Sequence, residues 1–380
     1  MKDCFATSEK THFLFPIDGD CINLNDGVPL SDGLLLTVSL SCAIGSLVYV
    51  NEELAVEREG AFEARVKLKT GLNLLTARNE TDGTSAQITV FYMTCAMGKY
   101  RISSDDNILF LADLTENKDK YTSLFDNPYL AVYKRAHDLY GAKVHLNLFY
   151  EFDSTAAERF GSPRPYFNLS MMTDKYKAEW QANADWLKLS FHAKREWPEK
   201  PYKNAHPGTV IRDFLEVERE ILRFAGEEAF SREVTTIHYG EANPDCVRAL
   251  RDLGHKALAG YFELTPEGEP LVSYYAPVEL INHVGERDFW RDVEMGMTFA
   301  RIDRVTNLDS LRDIMADLNE IIKNPHRGGF VSIMIHEQYF YSDYESYLPD
   351  FAARVLEPAR LLCERGYRGS HLCEVIGQTI

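Results

Sequence analysis

Hydrophobic and polar positions change rhythm near Lys99. Before it, apolar residues alternate with polar ones in short runs, the period of a strand with one buried face. FEARVKL (Phe62 to Leu68) alternates cleanly, and LLLTVSLSC (Leu34 to Cys42) and SLVYVN (Ser46 to Asn51) read as further strands. LNLLTARN (Leu72 to Asn79), the turn TDGTS and AQITVFYM (Ala86 to Met93) predict strand, hairpin turn and strand. No stretch of helical period interrupts these ninety-odd residues. They predict a small all-β sandwich over residues 1–97, and the run ending at Met93 resembles the last strands of an immunoglobulin-like accessory module.

After Lys99 the pattern becomes strand, then helix. ILFLA (108–112) reads as a short apolar strand. A helix follows, with Asn127 as N-cap, Pro128 in the first turn and Gly141 as stop. KVHLNLFY (143–150), WLKLSF (186–191), VTTIHY (234–239), KALAGYF (256–262), FVSIMI (330–335) and HLCEVI (371–376) read as strands. Helices are expected over 209–226, from Asn243-Pro244 to Gly254, over 308–323, and over 347–365, where Pro358 invites a bend. About seven strands alternating with helices predict an α/β domain over 98–380, a distorted (β/α) barrel rather than an open sheet.

Composition narrows the function. The chain has 380 residues and a net charge of -17, with 58 acids against 41 bases, which argues against nucleic acid and against a polybasic membrane anchor. No apolar run is long enough to span a bilayer. The opening MKDCFATSEKTHFLFP has no long apolar stretch, so a cytoplasmic chain without a signal peptide is expected. The cysteine count is odd at seven and C-x-x-C is absent, which predicts free thiols, among them Cys4.

Candidate chemistry sits at strand ends, where α/β barrels place their catalytic groups. Asp105 and Asp106 are adjacent carboxylates in YRISSDDNILFLADL, His192 follows WLKLSF, His238 ends VTTI, and His336 follows FVSIMI. His145, inside KVHLNLFY, is a further candidate. Asp-Asp-Asn alone is turn chemistry, and a single histidine at a strand end is more often structural than a ligand. Together they make a carboxylate–imidazole set that suits Zn²⁺, and Fe, Co or Mn less decisively.

In their order along the chain these residues resemble the polysaccharide deacetylase superfamily. Ser104-Asp105-Asp106-Asn107 stands where that family has T-F-D-D-G, which implies Asp105 as general base and Asp106 as metal ligand. FHAKREWP stands where it has H-[ST]-x-x-H, with His192 kept and Glu196 in place of the second histidine. IHYGEANP keeps Tyr239-Gly240 and the helix start of the third motif, with His238 in an apolar or proline position and no clear match for the motif's arginine. GGFVSIMIHEQYF supplies His336, which the resemblance implies is the general acid. It implies a divalent-metal hydrolase removing N- or O-acetyl groups from carbohydrate. The third ligand stays open between Glu196, His238 and His145. Trp197, Tyr239, Tyr339 and Tyr341 are candidate sugar-stacking residues, the last two in the aromatic run HEQYFYSDYESY. Two other readings compete: a catalytically silent barrel that binds glycans, and a glycosidase pairing Asp105 or Asp106 with Glu241 or Glu337.

Overall fold

The computed structural model describes residues 10–377. They form two compact units. One holds the described residues up to Met97 together with Phe289–Gly296 and Gly377, and the other holds Gly98–Asp288 with Met297–Ile376. The excursion Phe289–Gly296 carries no signal in the sequence pattern.

The first unit is two sheets around one core. One sheet runs His12–Phe15, Gly33–Ser41, Ala61–Leu68, Val56–Arg58, with Gly27–Leu30 also on Gly33–Ser41. The other runs Cys21–Ile22, Ser85–Tyr92, Gly71–Asn79, Val48–Val50, Glu53–Leu54. The alternation explains the packing: Leu34, Leu36, Val38 and Leu40 from one sheet and Leu75, Ala77 and Val90 from the other share a single buried cluster. The TDGTS turn closes as expected, pairing Ser85 with Arg78. Among the described residues Cys42, Cys246, Cys363 and Cys373 form no disulfide; Cys4 lies outside them.

The second unit is mixed α/β with parallel strands. We number them β1 (Lys99–Asn107), β2 (Val144–Phe149), β3 (Leu187–Ala193), β4 (Val234–Thr235), β5 (Ala257–Gly260), β6 (Met297–Arg301), β7 (Arg304–Val305) and β8 (Phe330–His336). One sheet orders them β3-β2-β1-β8-β7, and the other contains β4-β5-β6. The strands expected to close one barrel thus form two sheets. Two short links join them: Ser231 N–H donates to Leu189 O at 2.8 Å, and the chain between β6 and β7 bonds Gly260 through Ile302 and Ser332 through Asp303.

The helix predicted after Asn127 forms as Pro128–Tyr140, with Asn127 Oδ1 accepting from Leu130 N–H and Gly141 at φ 63°. Two expected strands are helices instead. HLCEVI becomes Leu372–Ile376. ILFLA becomes the start of α1 (Leu109–Glu116), because the strand before it runs through Asn107 and a distant carboxylate caps the helix start. Glu337, fully buried, accepts the N–H groups of Ile108 (2.6 Å), Leu109 (2.9 Å) and Phe110 (2.5 Å). An anion at a helix start is favoured by the exposed N–H groups and by the macrodipole, and here it comes from 229 residues downstream. Local propensity could not show it.

Candidate metal centre

The adjacent carboxylates at the end of β1 are separated by a bulge. Against β8 the register runs unbroken to Asp105↔His336, but against β2 it steps from Ser104↔Leu146 to Asn107↔Leu148, three residues against two. Asp106 takes the extra place at φ 61°, a conformation aspartate tolerates better than most residues. In a regular strand neighbouring side chains face opposite sides. The bulge turns the second carboxylate onto the same rim as the first, and both line one cleft of about 320 Å³.

Asp106 meets two imidazoles there. Its Oδ1 lies 3.0 Å from His192 Nε2 and 3.3 Å from His238 Nδ1, and those two nitrogens are 3.1 Å apart. Each ring's other nitrogen is committed to a carbonyl: His192 Nδ1 to Thr236 O at 2.5 Å, His238 Nε2 to Glu196 O at 3.0 Å. A carbonyl only accepts, so those nitrogens carry the protons. The facing nitrogens are then both lone pairs, aimed at each other and at a carboxylate oxygen. Such a contact is unfavourable unless a cation or an extra proton lies between them. Ligands about 2.0–2.1 Å from a tetrahedral ion would themselves be roughly 3.3 Å apart, which matches this spacing. Backbone carbonyls holding the outer ring nitrogens are the usual support of metal-binding histidines. Asp106, His192 and His238 therefore fit a divalent ion.

Without an ion, an extra proton can bridge the same atoms. Burial works to raise the Asp106 pKa, but hydrogen bonds that His192 and His238 donate once doubly protonated outweigh it and hold the carboxyl well below its ordinary range. Burial works to lower that of His192, but the charge of Asp105 and the bond to Asp106 push it up.

Asp105 Oδ1 accepts from Asn147 Nδ2 at 2.6 Å, and Asn147 Oδ1 accepts from Ser190 Oγ at 2.5 Å. His336 is held from behind. Asn307 Oδ1 accepts the His336 backbone N–H at 3.1 Å, which fixes it as the oxygen, and lies 2.9 Å from Nδ1. Nδ1 is thus the protonated nitrogen, and Nε2 faces the cleft, 4.0 Å from Asp106 Oδ2. Gln338 Nε2 donates to that same Oδ2 at 2.9 Å, leaving Oδ1 to the histidines.

The remaining candidates separate. Glu196 lines the cleft, yet its carboxyl group accepts from Arg159 at 3.3 Å and lies outside the Asp106–His192–His238 group; its backbone carbonyl is what touches His238. His145 is buried against His371, with ring centroids 6.4 Å apart, and does not line the cleft. Tyr239 and Tyr339 line the cleft. Tyr341 does not: its hydroxyl donates to Glu337 Oε1 at 2.7 Å, so the aromatic run HEQYFYSDYESY splits between core and rim. Trp197 is half-buried and outside the cleft lining. Glu337 spends both oxygens on α1 and Tyr341, and Glu241 pairs with Lys200 and Lys203, so neither is available as a glycosidase carboxylate.

No protein-family model matches the chain, and no curated protein matches it. Among solved structures it is similar to Agd3, described as a novel carbohydrate deacetylase: 9% identity over 89% of this chain and 70% of that one, TM-score 0.43. It is also similar to a CE4 family pseudoenzyme from Bacillus anthracis (8% identity, 79% and 83% coverage, TM-score 0.32). A third is the 4-alpha-glucanotransferase from Thermococcus litoralis (10% identity, 74% and 40% coverage, TM-score 0.43). At such identities and scores, function has to be argued from the side chains themselves.

Sequence reading missed Asn147, Asn307 and Gln338. A signal was present for the first: in KVHLNLFY and WLKLSFH the polar residues His145, Asn147, Lys188, Ser190 and His192 recur every second position. Polar residues at period two in otherwise apolar parallel strands mark a polar face. Asn307 lies in a loop, and nothing local distinguishes it.

Glu196 gives a pH-dependent prediction. Burial, then the charge of Asp106, push its carboxyl up to about 8, against the pull of Arg159. Below the ordinary value of 4.5 it is protonated folded and unfolded alike. Between 4.5 and about 8 the unfolded chain ionises while the folded one keeps the proton, so stability falls as pH rises. In chelator-treated protein we expect the α/β unit to lose at most about 1.4 kcal/mol per pH unit across that window. Glu196→Gln should flatten the profile. Melting followed from about pH 4.5 to about pH 8.5 checks this, and equal slopes in both proteins would refute it.

Proposed function

We propose that this chain is a divalent-cation-dependent hydrolase that removes acetyl groups from carbohydrate. One observation carries the reading: two imidazole lone pairs and a carboxylate oxygen converge within 3.0–3.3 Å, with both rings locked in that orientation by backbone carbonyls. Asp106, His192 and His238 hold the ion, for which their donor set favours zinc over iron, cobalt or manganese. When bound, it supplies Lewis-acid polarisation of an acyl carbonyl and a lower pKa for water.

The other groups complete the chemistry. Asp105, oriented by Asn147, takes the proton of the attacking water. Protonated His336, turned by Asn307, gives a proton from Nε2 to the departing amine or alcohol. Acetate and the deacetylated sugar result. Tyr239 and Tyr339 offer ring faces to the sugar. We further take β1 to β8 as a distorted seven-stranded ring, β6 and β7 being one strand that changes partner, and the first unit as an immunoglobulin-like accessory module.

Elemental analysis of the purified chain should find about one divalent ion per protein. Stripping it with dipicolinate should abolish acetate release from N-acetylated chitooligosaccharide and from acetylated xylan, and zinc should restore it. A chain that carries no ion and gains none on titration would refute the hydrolase. Sugar binding without a cation would then favour the silent glycan-binding barrel.

A further inference from the structure

Four buried polar atoms at the cleft have no hydrogen-bond partner among the described residues: Thr236 Oγ1, Asn307 Nδ2, Gln338 Oε1 and the Tyr344 hydroxyl. Buried polar groups are nearly always paired, so unpaired ones at a binding cleft mark what a ligand must supply. Asn307 faces the Tyr339 phenol and can be quieted by it. Gln338 and Tyr344 differ in position. Both line the cleft and also a second recess walled by Ile108, Leu109, Phe149, Phe152 and Phe160, so they stand where the two meet.

Gln338 cannot adapt. Its Nε2 donates to Asp106 Oδ2 at 2.9 Å, and flipping the amide would set oxygen against carboxylate. Its backbone is pinned by Glu337 next to it, whose side chain turns the other way and anchors α1. Oε1 is therefore a fixed acceptor needing a donor. Tyr344 sits against Arg159, 5.0 Å from ring centroid to guanidinium carbon, and against Tyr339 and Phe160. Burial pushes its phenol up, against the pull of Arg159, so it keeps its proton and can donate.

We infer that Gln338 Oε1 and the Tyr344 hydroxyl form an acceptor–donor pair that reads a secondary amide, making Gln338 the residue that selects N-acyl over O-acyl groups. This rests on the hydrolase reading of the cleft. The amide N–H meets Gln338 and the amide carbonyl meets Tyr344. An ester has the carbonyl but no N–H, and leaves Gln338 Oε1 buried and unpaired. Sites built to bond a substrate N–H discriminate strongly against analogues lacking it.

The test compares two ligands that differ only at that atom: methyl 2-acetamido-2-deoxyglucoside and methyl 2-O-acetylglucoside. Calorimetry on the full zinc-loaded chain carrying Asp105→Asn measures binding without turnover. The amide should bind about tenfold tighter or more, as one bond to a buried acceptor requires. At equal zinc content Gln338→Met should bring the two within about twofold by weakening the amide alone, and Tyr344→Phe should weaken both. Equal binding, no binding of either, or a gap that survives Gln338→Met overturns the inference. The two-ligand comparison on Asp105→Asn decides it even if further variants misfold. Acetate release by the wild-type chain is scored separately: a tenfold gap without turnover would remove the hydrolase and leave the amide selectivity standing.

Discussion

His238→Ala is expected to abolish the proposed stoichiometric cation binding, whereas Glu196→Ala and His145→Ala should leave it within a few-fold of wild type. This outcome rests on which atoms converge. His238 Nδ1 is 3.3 Å from Asp106 Oδ1 and 3.1 Å from His192 Nε2. Glu196 turns its carboxyl group to Arg159, and His145 is packed against His371 away from the cleft. Loss of an outer partner of a metal site typically costs 10–100-fold in affinity, so loss of a ligand should cost more than about 100-fold. Asp106→Ala and His192→Ala should behave as His238→Ala does. Competition titration against a chromophoric zinc chelator measures all five. Retention of zinc by His238→Ala together with its loss in Glu196→Ala would place the third ligand at Glu196 instead. Glu196→Ala leaves the support of His238 intact, because the contact to Nε2 is made by the backbone carbonyl of residue 196, which the substitution keeps.

The parts of this architecture that were legible in the sequence are those set by local periodicity and caps. Alternation in Ala61–Leu68 and Gly71–Asn79 shows strands because one face of each is buried in a shared core. Asn127, Pro128 and Gly141 bound a helix because each satisfies or terminates backbone bonds within a few residues. His192 and His336 stood out as polar residues closing apolar parallel strands. The features that were not legible depend on contacts far apart in the chain. The expected strand ILFLA is a helix start because Glu337 supplies its cap. His238 rather than Glu196 faces Asp106 because the chain leaves strand geometry after Thr235, with Tyr239 at φ 60°, and so brings residue 238 over the rim. Tyr341 reads as a rim aromatic until Glu337 claims its hydroxyl.

Glu337→Ala should be the most destabilising single substitution in the α/β unit outside its apolar core. The side chain is fully buried and accepts four bonds: three from the backbone at Ile108, Leu109 and Phe110, and one from Tyr341. Alanine leaves all four donors without that acceptor, in a place where water reaches poorly. A buried donor left unsatisfied costs about 1–3 kcal/mol, and loss of a helix cap about 1 kcal/mol. Even with partial relaxation the total is on the order of 4 kcal/mol or more, a large share of the roughly 5–15 kcal/mol that holds a typical domain. The damage should also be local in a telling way. The N–H groups released belong to residues just past Asp106, so zinc affinity should fall in whatever folded protein remains. Tyr341→Phe removes only the fourth donor and should cost about 1 kcal/mol, with zinc binding unchanged. Glu337→Gln keeps one acceptor oxygen but turns an NH₂ group toward backbone donors, so it should fall between the two. Urea denaturation followed by tryptophan fluorescence, which Trp180 and Trp186 report from this unit, orders the three variants. A Glu337→Ala protein within about 1 kcal/mol of wild type would mean that α1 does not need its distant cap. The end of β1 would then hold its bulge, and Asp106 its place, by some other means.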